Sequence, residues 1–181
     1  LAVEPADQAL GGHGMSDAAL EQAMTLGDKS PLDQRDAGDL GRFGMGLKTA
    51  SFSQCRRLTV ASRRYGATAC LRWDLDELAR NSDIGWALLE GPDQESAAFI
   101  SPLQQRESGT LVLWELLDRI VTSAFTPEHF LDVIEEVEQH LAMVFHRLIG
   151  GTGEWIRLSI NGRPVARWGA LRKKDVGSQQ E

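Results

Sequence analysis

Three glycines stand close together in the segment Gly-Arg-Phe-Gly-Met-Gly-Leu-Lys at residues 41–48. Glycines before a helix allow backbone N–H groups to point into one concavity, where the helix dipole also favours an anion. The segment therefore predicts a phosphate cradle. The alternative is a tight loop that packs under a sheet. The segment lacks the GK[ST] ending of a Walker A loop, and it does not follow a strand directly as a dinucleotide fingerprint would.

Two cationic side chains of this segment, Arg42 and Lys48, could approach a bound phosphate, Lys48 as a point charge one turn into the helix. A solvated surface position is the alternative for both. A second glycine-rich turn, Gly-His-Gly-Met, lies at residues 12–15, where we interpret His13 as a loop filler. No metal site is predicted, because the other histidines share one predicted helix without the i,i+4 spacing of a helical metal pair. They are His129, His140 and His146.

Predicted helices lie on both sides of the loop that separates the two glycine-rich turns. Ser16 is a predicted N-cap for a helix at residues 17–26. The polar loop at residues 27–41 buries almost nothing, and loops of that length inside a compact domain are usually functional or disordered. A second helix is predicted within residues 43–54. Its expected apolar face consists of Phe43, Leu47 and Ala50.

Strands follow, because the apolar period changes to two. Residues 58–62 and 67–73 flank a Tyr65-Gly66 turn, which is the pattern of an antiparallel hairpin. Two more strands are predicted at residues 86–89 and 110–116. Between them, residues 91–108 are predicted to be a loop apart from Ala98-Phe99-Ile100.

The C-terminal part of the chain combines one long helix with a hairpin. Thr126 as N-cap and Pro127 at the first helical position begin the helix, which is predicted to continue to Gly150. An apolar stripe along this helix predicts packing against a sheet. Asn161-Gly162 between two apolar runs predicts a type I′ hairpin. Because helices and strands are partly segregated and short turns join neighbouring strands, the sequence predicts an α+β fold, with a mostly antiparallel sheet and helices on one face.

The composition and charge exclude several classes of protein. Hydrophobic residues make up 42% of the 181 residues, which is ample for a core and argues against disorder. A net charge of −7 leaves no global electrostatic footprint for nucleic acid, although arginines cluster locally. Cys55 and Cys70 lack the spacing of a disulfide framework or zinc site, and we expect small buried side chains in a reducing compartment. With no signal peptide and no apolar run near the ~18 residues of a membrane span, we expect a cytoplasmic protein.

The glycine-rich turns and their order resemble the GHKL superfamily, which includes gyrase-type topoisomerases, MutL, the ninety-kilodalton heat-shock chaperone, histidine kinases and MORC proteins. Residues 12–15 resemble the end of the adenine-side motif DxGxGM, and residues 41–47 resemble the second glycine box. Ser-Gly-Thr at residues 108–110 resembles the late glycine-threonine element, whose Thr lies near the adenine through a water in family members. The loop at residues 27–40 then takes the position of the ATP lid.

This resemblance implies a Bergerat fold, a two-layer α/β sandwich that binds ATP with magnesium. Residues 141–149 and the Asn161-Gly162 hairpin are most similar to MORC-like and bacterial chaperone-like members. The implied domains are an ATP-binding domain at residues 1–150 and a hairpin at 151–173 that could begin a transducer-like region, before a disordered tail at 174–181. The implied ATP-binding residues are Gly12, Gly14, Met15, Gly41, Arg42, Phe43, Gly44, Met45, Gly46, Leu47, Lys48 and Thr110.

The chain departs from the family pattern at its N-terminal side. Family members carry a helix there with a Glu that activates water and an Asn that binds magnesium, and no segment before Leu10 could be that helix. The adenine-binding Asp is expected at Leu10, whose side chain cannot accept a hydrogen bond. We therefore expect about three to five further residues between Leu10 and Gly11, with Cα atoms separated there by more than the ~3.8 Å of a trans peptide.

No catalytic residue is assigned within the chain, and we expect no ATPase turnover from it. A general base is needed beside a magnesium-bound phosphate. The nearby carboxylates do not stand at the position that the family uses. They are Asp7, Asp17 and Glu21.

Two functions remain open from the sequence. In the first, ATP closes the lid, orders a dimer interface and drives a partner domain, and hydrolysis resets this conformational clamp. In the second, a degenerate member binds nucleotide weakly or not at all and serves as an interaction scaffold. A histidine-kinase catalytic domain is disfavoured, because the hairpin at residues 156–168 continues beyond the glycine-threonine strand. ATP is the implied ligand, contacts with a second copy, DNA or a partner protein are open, and no membrane contact is expected.

Overall fold

The computed structural model describes residues 2–5, 13–26, 45–81, 87–149 and 156–166. The chain forms two compact units. We call His13–Ser123 the central unit, and Leu1–Gly12 together with Ala124–Glu181 the terminal unit. The expected gap between Leu10 and Gly11 and the expected disordered tail lie outside the described residues, and the domain boundary at residue 150 stays a prediction.

A four-stranded antiparallel sheet forms the framework of the central unit. With strands numbered along the chain, its order is β4-β3-β2-β5. These strands are Arg57–Arg64 (β2), Ala67–Asp74 (β3), Leu89–Glu90 (β4) and Gly109–Glu115 (β5). The α+β class with a mostly antiparallel sheet and helices is therefore confirmed.

The hairpin predicted between the first two strands of this sheet is also confirmed. Arg64 pairs with Ala67 across a two-residue turn. Tyr65 and Gly66 have φ values of 49° and 82°, and a type I′ turn requires positive φ at both central positions. The local turn chemistry therefore sets the register of β2 against β3.

Three helices of the central unit begin at or just after the glycine-rich turns and the strand ends. They are Asp17–Met24 (α1), Gly46–Phe52 (α2) and Leu75–Arg80 (α3). Ser16 is the N-cap of α1, as predicted, and its hydroxyl accepts a hydrogen bond from the backbone N–H of Ala19. Helix α1 buries Leu20 and Met24 against one face of the sheet. The other buried members of this core are Cys55, Leu58, Val60, Leu71 and Trp73.

The loop predicted at residues 91–108 is wrong over much of its length. Residues 94–105 are helical, with 3-10 turns at Gln94–Ser96 and Ser101–Gln105 on either side of helix α4, Ala97–Ile100. Asp93 caps the first turn by accepting a hydrogen bond from the N–H of Glu95. Ile100 and Leu103 are buried against Ala61, on the opposite face of β2 from Leu58 and Val60. The segment has little helical periodicity in its sequence, and we attribute its helical structure to this tertiary burial.

The terminal unit contains a small antiparallel sheet and one long helix. The sheet has the order β1-β6-β7, with strands Ala2–Pro5 (β1), Ile156–Ile160 (β6) and Arg163–Pro164 (β7). Asn161 and Gly162 connect the last two strands with φ values of 52° and 77°, which confirms the predicted type I′ hairpin.

The long helix is Pro127–Val144 (α5), and it begins as predicted. Thr126 is its N-cap and accepts a hydrogen bond from the backbone N–H of His129. The helix ends earlier than residue 150, because Phe145 leaves helical geometry and its carbonyl accepts the N–H groups of Leu148 and Ile149 in a turn. Near this end, the helix packs on β6 through a cluster whose buried members are Ala142, Ile149, Leu158 and Val165. No helix within the described ranges is long and apolar enough to cross a membrane.

Candidate functional site

The turn before α1 lies directly against the end of β2. Gly14 has φ +65°, and a Cβ built on it would stand 1.9 Å from the carbonyl oxygen of Arg63 and 3.3 Å from that of Gly109. Real Cβ atoms essentially never approach a neighbour within 3.0 Å. Glycine also takes a positive φ without steric cost. Backbone packing therefore requires a glycine at this position even without a ligand.

The next residue of this turn is hydrogen-bonded to a serine that the sequence did not single out. The backbone N–H of Met15 donates to Ser62 Oγ at 2.7 Å. The Ser62 side chain has 0% exposure, and its Oγ lies 2.7 Å from Thr110 Oγ1 and 3.2 Å from the Gly109 carbonyl oxygen. Ser62 and Thr110 are direct partners across β2 and β5. One buried hydroxyl therefore joins the first glycine-rich turn to the glycine-threonine element, and it brings Met15 and Thr110 together.

Ser62 could have been noticed from the strand pattern. Leu58, Val60 and Ser62 alternate along β2 and share one face of the sheet, on which the first two are buried. A period of two predicts a third apolar residue at this position. A buried hydroxyl is costly unless it is hydrogen-bonded, so a serine in that register indicates polar partners nearby.

Helix α2 begins within the second glycine-rich segment. Met45 is its N-cap and makes no side-chain capping hydrogen bond, and the first N–H groups of any helix have no partner within it. Gly46 is the first helical residue, and a Cβ on it would meet nothing within 4 Å. The positive end of the helix dipole is also located here. Such a helix start is a place where an anion can bind, and the phosphate contact expected of the second glycine box stays a prediction.

The predicted apolar face of this helix is wrong. Leu47 and Ala50 are exposed, whereas Lys48 and Ser51 are buried. The polar atoms of both buried residues have partners, and Ser51 Oγ accepts a hydrogen bond from Trp114 Nε1 at 2.8 Å. Burial of a polar residue costs little when its hydrogen bonds are made. The predicted third member of the face, Phe43, lies outside the described residues.

Lys48 binds the C-terminal end of α1. Its Nζ donates to the carbonyl oxygens of Ala23 at 2.8 Å and Thr25 at 2.7 Å, and the residue is only 1% exposed. The carbonyls at a helix C-terminus lack intrahelical donors and carry the negative end of the dipole, so a cation is stabilised there. Trp73 Nε1 adds a further hydrogen bond to the Met24 carbonyl at 2.9 Å. A solvated surface position for Lys48 is therefore wrong, because the ammonium is directed to α1.

Exposed apolar side chains lie on the elements that carry these polar groups. Met45 and Leu47 are exposed at the start of α2, and Val112 is 45% exposed on β5. Val112 is two residues from Thr110, so both side chains are on the same face of the strand. Ligand sites commonly combine such apolar surface with a few placed polar groups.

Several predicted ligands of ATP cannot be placed. These residues lie outside the described part of the chain: Gly12, Gly41, Arg42, Phe43 and Gly44.

A buried ion pair lies among the strands and serves the fold. Arg57 Nε donates to Asp74 Oδ2 at 2.7 Å, and Asp74 also caps α3 by accepting the N–H groups of Asp76 and Glu77. Burial alone would raise the pKa of Asp74, but the hydrogen bond from Arg57 and those from the backbone outweigh it and lower this pKa below its usual value. Asp74 is therefore ionised and fully engaged, which makes it a structural group.

The two cysteines are free thiols, Cys55 buried and Cys70 half-buried. Burial raises the pKa of both thiols. The prediction of a small buried side chain is confirmed for Cys55. A thiol that stays protonated at neutral pH is a poor nucleophile, so neither residue adds chemistry to the site.

In the part of the chain that the structure describes, no group of three or more His, Cys, Asp or Glu side chains is placed to hold a metal ion. These residues do not form a magnesium site of their own, so no step is assigned to that ion. The open N–H turn at Gly46 and the Thr110 hydroxyl, in contrast, are the kinds of group that bind phosphate and a base.

Comparison with known families identifies the same region of the chain. A family model described as histidine kinase-, DNA gyrase B-, and HSP90-like ATPase matches residues 11–110. The match covers more than half of the 181 residues, and it includes both glycine-rich turns and the glycine-threonine element. A search of curated proteins found no match to this chain.

Proposed function

Because the chain belongs to the histidine kinase-, DNA gyrase B- and HSP90-like ATPase family, we propose that its central unit binds ATP as the nucleotide-binding core of a conformational clamp. In such a clamp, bound ATP orders a lid and a dimer interface, and hydrolysis returns the protein to the open state. The glutamate and asparagine needed for hydrolysis and for magnesium would come from a helix N-terminal to the central unit.

The single observation that carries this proposal is the Ser62 hydrogen-bond network. Met15 and Thr110 are distant in sequence, yet both are bonded to the same buried hydroxyl. Each belongs to a motif that the family resemblance assigns to the adenine side of the site. A contact of this kind between two motifs is expected if they form one site.

The phosphate side of the proposal rests on the start of α2. The N–H groups of Met45, Gly46 and Leu47 lie at the positive end of the helix, and the space at Gly46 is open. We assign phosphate binding to these backbone groups, together with the unplaced glycines of residues 41–44. Lys48 is assigned a different task, because its ammonium already binds two carbonyls of α1.

Calorimetric titration of the chain with a non-hydrolysable ATP analogue tests the proposal. The wild-type protein should bind the analogue, and Gly46→Ala should weaken binding by about tenfold, since a methyl group would stand where the phosphate must approach the backbone. The same substitution should leave the free energy of unfolding unchanged or raise it by up to ~1 kcal/mol, because alanine is the better helix former. Loss of affinity without loss of stability is expected only if a ligand uses the space at Gly46.

The matched control is Gly91→Ala, at another glycine whose added Cβ meets nothing within 4 Å. It lies outside both glycine-rich turns and should leave the affinity unchanged. If wild-type protein does not bind the analogue, the ATP-binding proposal fails and the degenerate scaffold becomes the better description. If Gly46→Ala binds as tightly as wild type, the phosphate has been assigned to the wrong turn.

We also propose the finer features that the resemblance implies. A MORC-like subtype is supported by the similarity of residues 141–149 and by the Asn161-Gly162 hairpin. A second copy of the chain, with DNA or a partner protein bound by the intact protein, would fit a clamp mechanism. Magnesium would accompany ATP, and the cytoplasm is the proposed location.

A further inference from the structure

A side-chain hydrogen bond attaches helix α2 to the strand that carries the glycine-threonine element. Trp114 Nε1 on β5 donates to Ser51 Oγ on α2 at 2.8 Å. An indole N–H can only donate, so the serine oxygen is the acceptor. Trp114 lies on the same face of β5 as Thr110 and Val112, because side chains alternate along a strand. The bond therefore connects the second glycine-rich segment with the strand that begins at the glycine-threonine element.

Ser51 is in a position where a serine brings no advantage to the helix itself. Serine is a weaker helix former than alanine, and inside helices its hydroxyl commonly faces solvent or bonds to the preceding turn. Ser51 is instead 0% exposed, and a buried hydroxyl is costly unless it is hydrogen-bonded. Its partner Trp114 is 63 residues away in sequence. We conclude that this serine serves the placement of α2 rather than its formation.

Lys48 provides a second attachment of α2, on the same buried face. Lys48 and Ser51 are three residues apart, and residues at this spacing are neighbours on a helix surface. Lys48 Nζ bonds to the carbonyls of Ala23 and Thr25 at the end of α1, whereas Ser51 is bonded to β5. One attachment would allow the helix to pivot, but two attachments to different elements fix both its position and its rotation. Helix α2 is therefore placed relative to the two elements that carry the adenine-side motifs.

This placement matters for a ligand that must bind at two ends. In the proposed function, the base of the nucleotide is assigned to the turn at Met15 and to β5, and the phosphates are assigned to residues 41–48. The two ends of a nucleotide are joined by a covalent chain of limited length. Both ends bind at once only if the protein holds their two sites at the separation that the chain spans.

We propose that Trp114 and Ser51 are positioning residues, which hold α2 at the distance from β5 at which one nucleotide contacts both ends of the site. This inference rests on the proposed function, because it requires that the central unit binds ATP. Trp114 and Ser51 do not touch the nucleotide. They act through the position of α2, and they thereby determine how much the phosphates add to the affinity of the base and ribose.

The test compares a ligand that has phosphates with a ligand that lacks them. Calorimetric titration gives the affinity for a non-hydrolysable ATP analogue, and competition with that analogue gives the affinity for adenosine even when it is weak. The ratio of the two affinities measures the contribution of the phosphates. Ser51→Ala and Trp114→Phe should each lower this ratio about two- to tenfold, the range that the net free energy of one hydrogen bond supports. The double variant should show no further decrease, because both substitutions remove the same bond.

Both single variants are expected to fold, and either one is sufficient if the other does not. Alanine is a better helix former than serine, and phenylalanine keeps an aromatic ring while it removes the N–H donor. The matched control is Ser53→Ala at the end of the same helix. It removes an exposed hydroxyl that donates to the Ala50 carbonyl at 2.7 Å and has no bond to β5, so it should keep the wild-type ratio.

The outcomes distinguish this inference from the proposed function. If wild type does not bind the ATP analogue, the proposed function fails and this inference fails with it. If Ser51→Ala and Trp114→Phe keep the wild-type ratio, or weaken both ligands equally, the positioning role is overturned while ATP binding stands. A double variant whose ratio falls by the product of the two single effects would show that the residues act separately, which also overturns the inference. A lower ratio in both single variants that the double variant does not enlarge supports it.

Discussion

Replacement of Gly14 by alanine should strongly destabilise the central unit. The added Cβ would stand 1.9 Å from the carbonyl oxygen of Arg63, which is backbone and cannot rotate away as a side chain could. The turn must therefore move, and the hydrogen bond from Met15 to Ser62 would be lost. The left-handed backbone conformation adds a penalty of its own. Together these effects should cost about 2–4 kcal/mol of unfolding free energy.

Urea unfolding followed by circular dichroism measures this cost, and two further glycines separate its causes. Gly91 has φ +75° but open space around it, so Gly91→Ala should carry only the conformational penalty of ~1–2 kcal/mol. Gly46 has open space around it and is not one of the glycines with a positive φ. Gly46→Ala should therefore cost no unfolding free energy. The expected order of stability is Gly46→Ala, then Gly91→Ala, then Gly14→Ala.

The difference between the two positive-φ variants is the decisive quantity. It isolates the close approach of Gly14 to β2, because the conformational penalty is common to both. If Gly14→Ala is no less stable than Gly91→Ala, the first glycine-rich turn does not lie against Arg63. The hydrogen bond between Met15 and Ser62 would then also be in doubt, and with it the link between the two adenine-side motifs.

Two further substitutions test the buried charges. Lys48→Met should lower the unfolding free energy by about 2–4 kcal/mol, because it leaves two carbonyls of α1 without their charged donor, and urea unfolding measures the loss. If Lys48→Met has the same unfolding free energy as wild type, the hydrogen bonds assigned to Lys48 are contradicted. Asp74→Asn should cost about 2–3 kcal/mol at pH 7 by removing the partner of Arg57. Because the folded pKa of Asp74 lies below its unfolded value of ~3.9, its contribution is present above pH ~4 and is lost as pH falls through the folded pKa. When the unfolding free energy is measured from pH 7 downward, it should fall less steeply for Asp74→Asn than for wild type. If both proteins lose the same unfolding free energy, the ion pair of Asp74 does not cause the acid sensitivity.

The elements that could be predicted are those with their determinants close by in sequence. The turns at Tyr65-Gly66 and Asn161-Gly162 have positive φ at both positions, which is a property of the two residues themselves. Ser16 and Thr126 cap helices through N–H groups three residues ahead. For such features a short window of sequence contains the whole physical cause, so the prediction succeeds.

The predictions that were wrong concern elements whose structure depends on residues distant in sequence. The buried face of α2 could not be predicted from its apolar residues, because Lys48 is buried by carbonyls 23 and 25 residues away. The same holds for residues 94–105, where burial against Ala61 makes a helical segment out of an apparent loop. The period of apolar residues predicts which apolar side chains are buried, but it does not predict the burial of a polar side chain with its hydrogen-bond partners.

The candidate site depends on the same kind of contact. Its motifs could be found because glycines and a threonine stand in a known order, but Ser62 belongs to none of them. Its importance follows only from strand register, since β2 places it opposite Thr110 on β5. Strand pairing is a long-range property, so the local pattern could mark Ser62 as unusual but could not identify Thr110 and Met15 as its partners.

Helix α1 gives a physical reason for linking the two glycine-rich turns. At its start, Gly14 and Met15 are fixed on β2 by close packing and by the bond to Ser62. At its end, Lys48 from α2 binds the carbonyls of the last turn. The adenine-side turn and the helix that follows the phosphate-side turn are therefore attached to opposite ends of one short rigid element. In the proposed clamp, a ligand that shifts one end of this helix would move the other end as well, and coupling between mutations at Ser62 and Lys48 would test this.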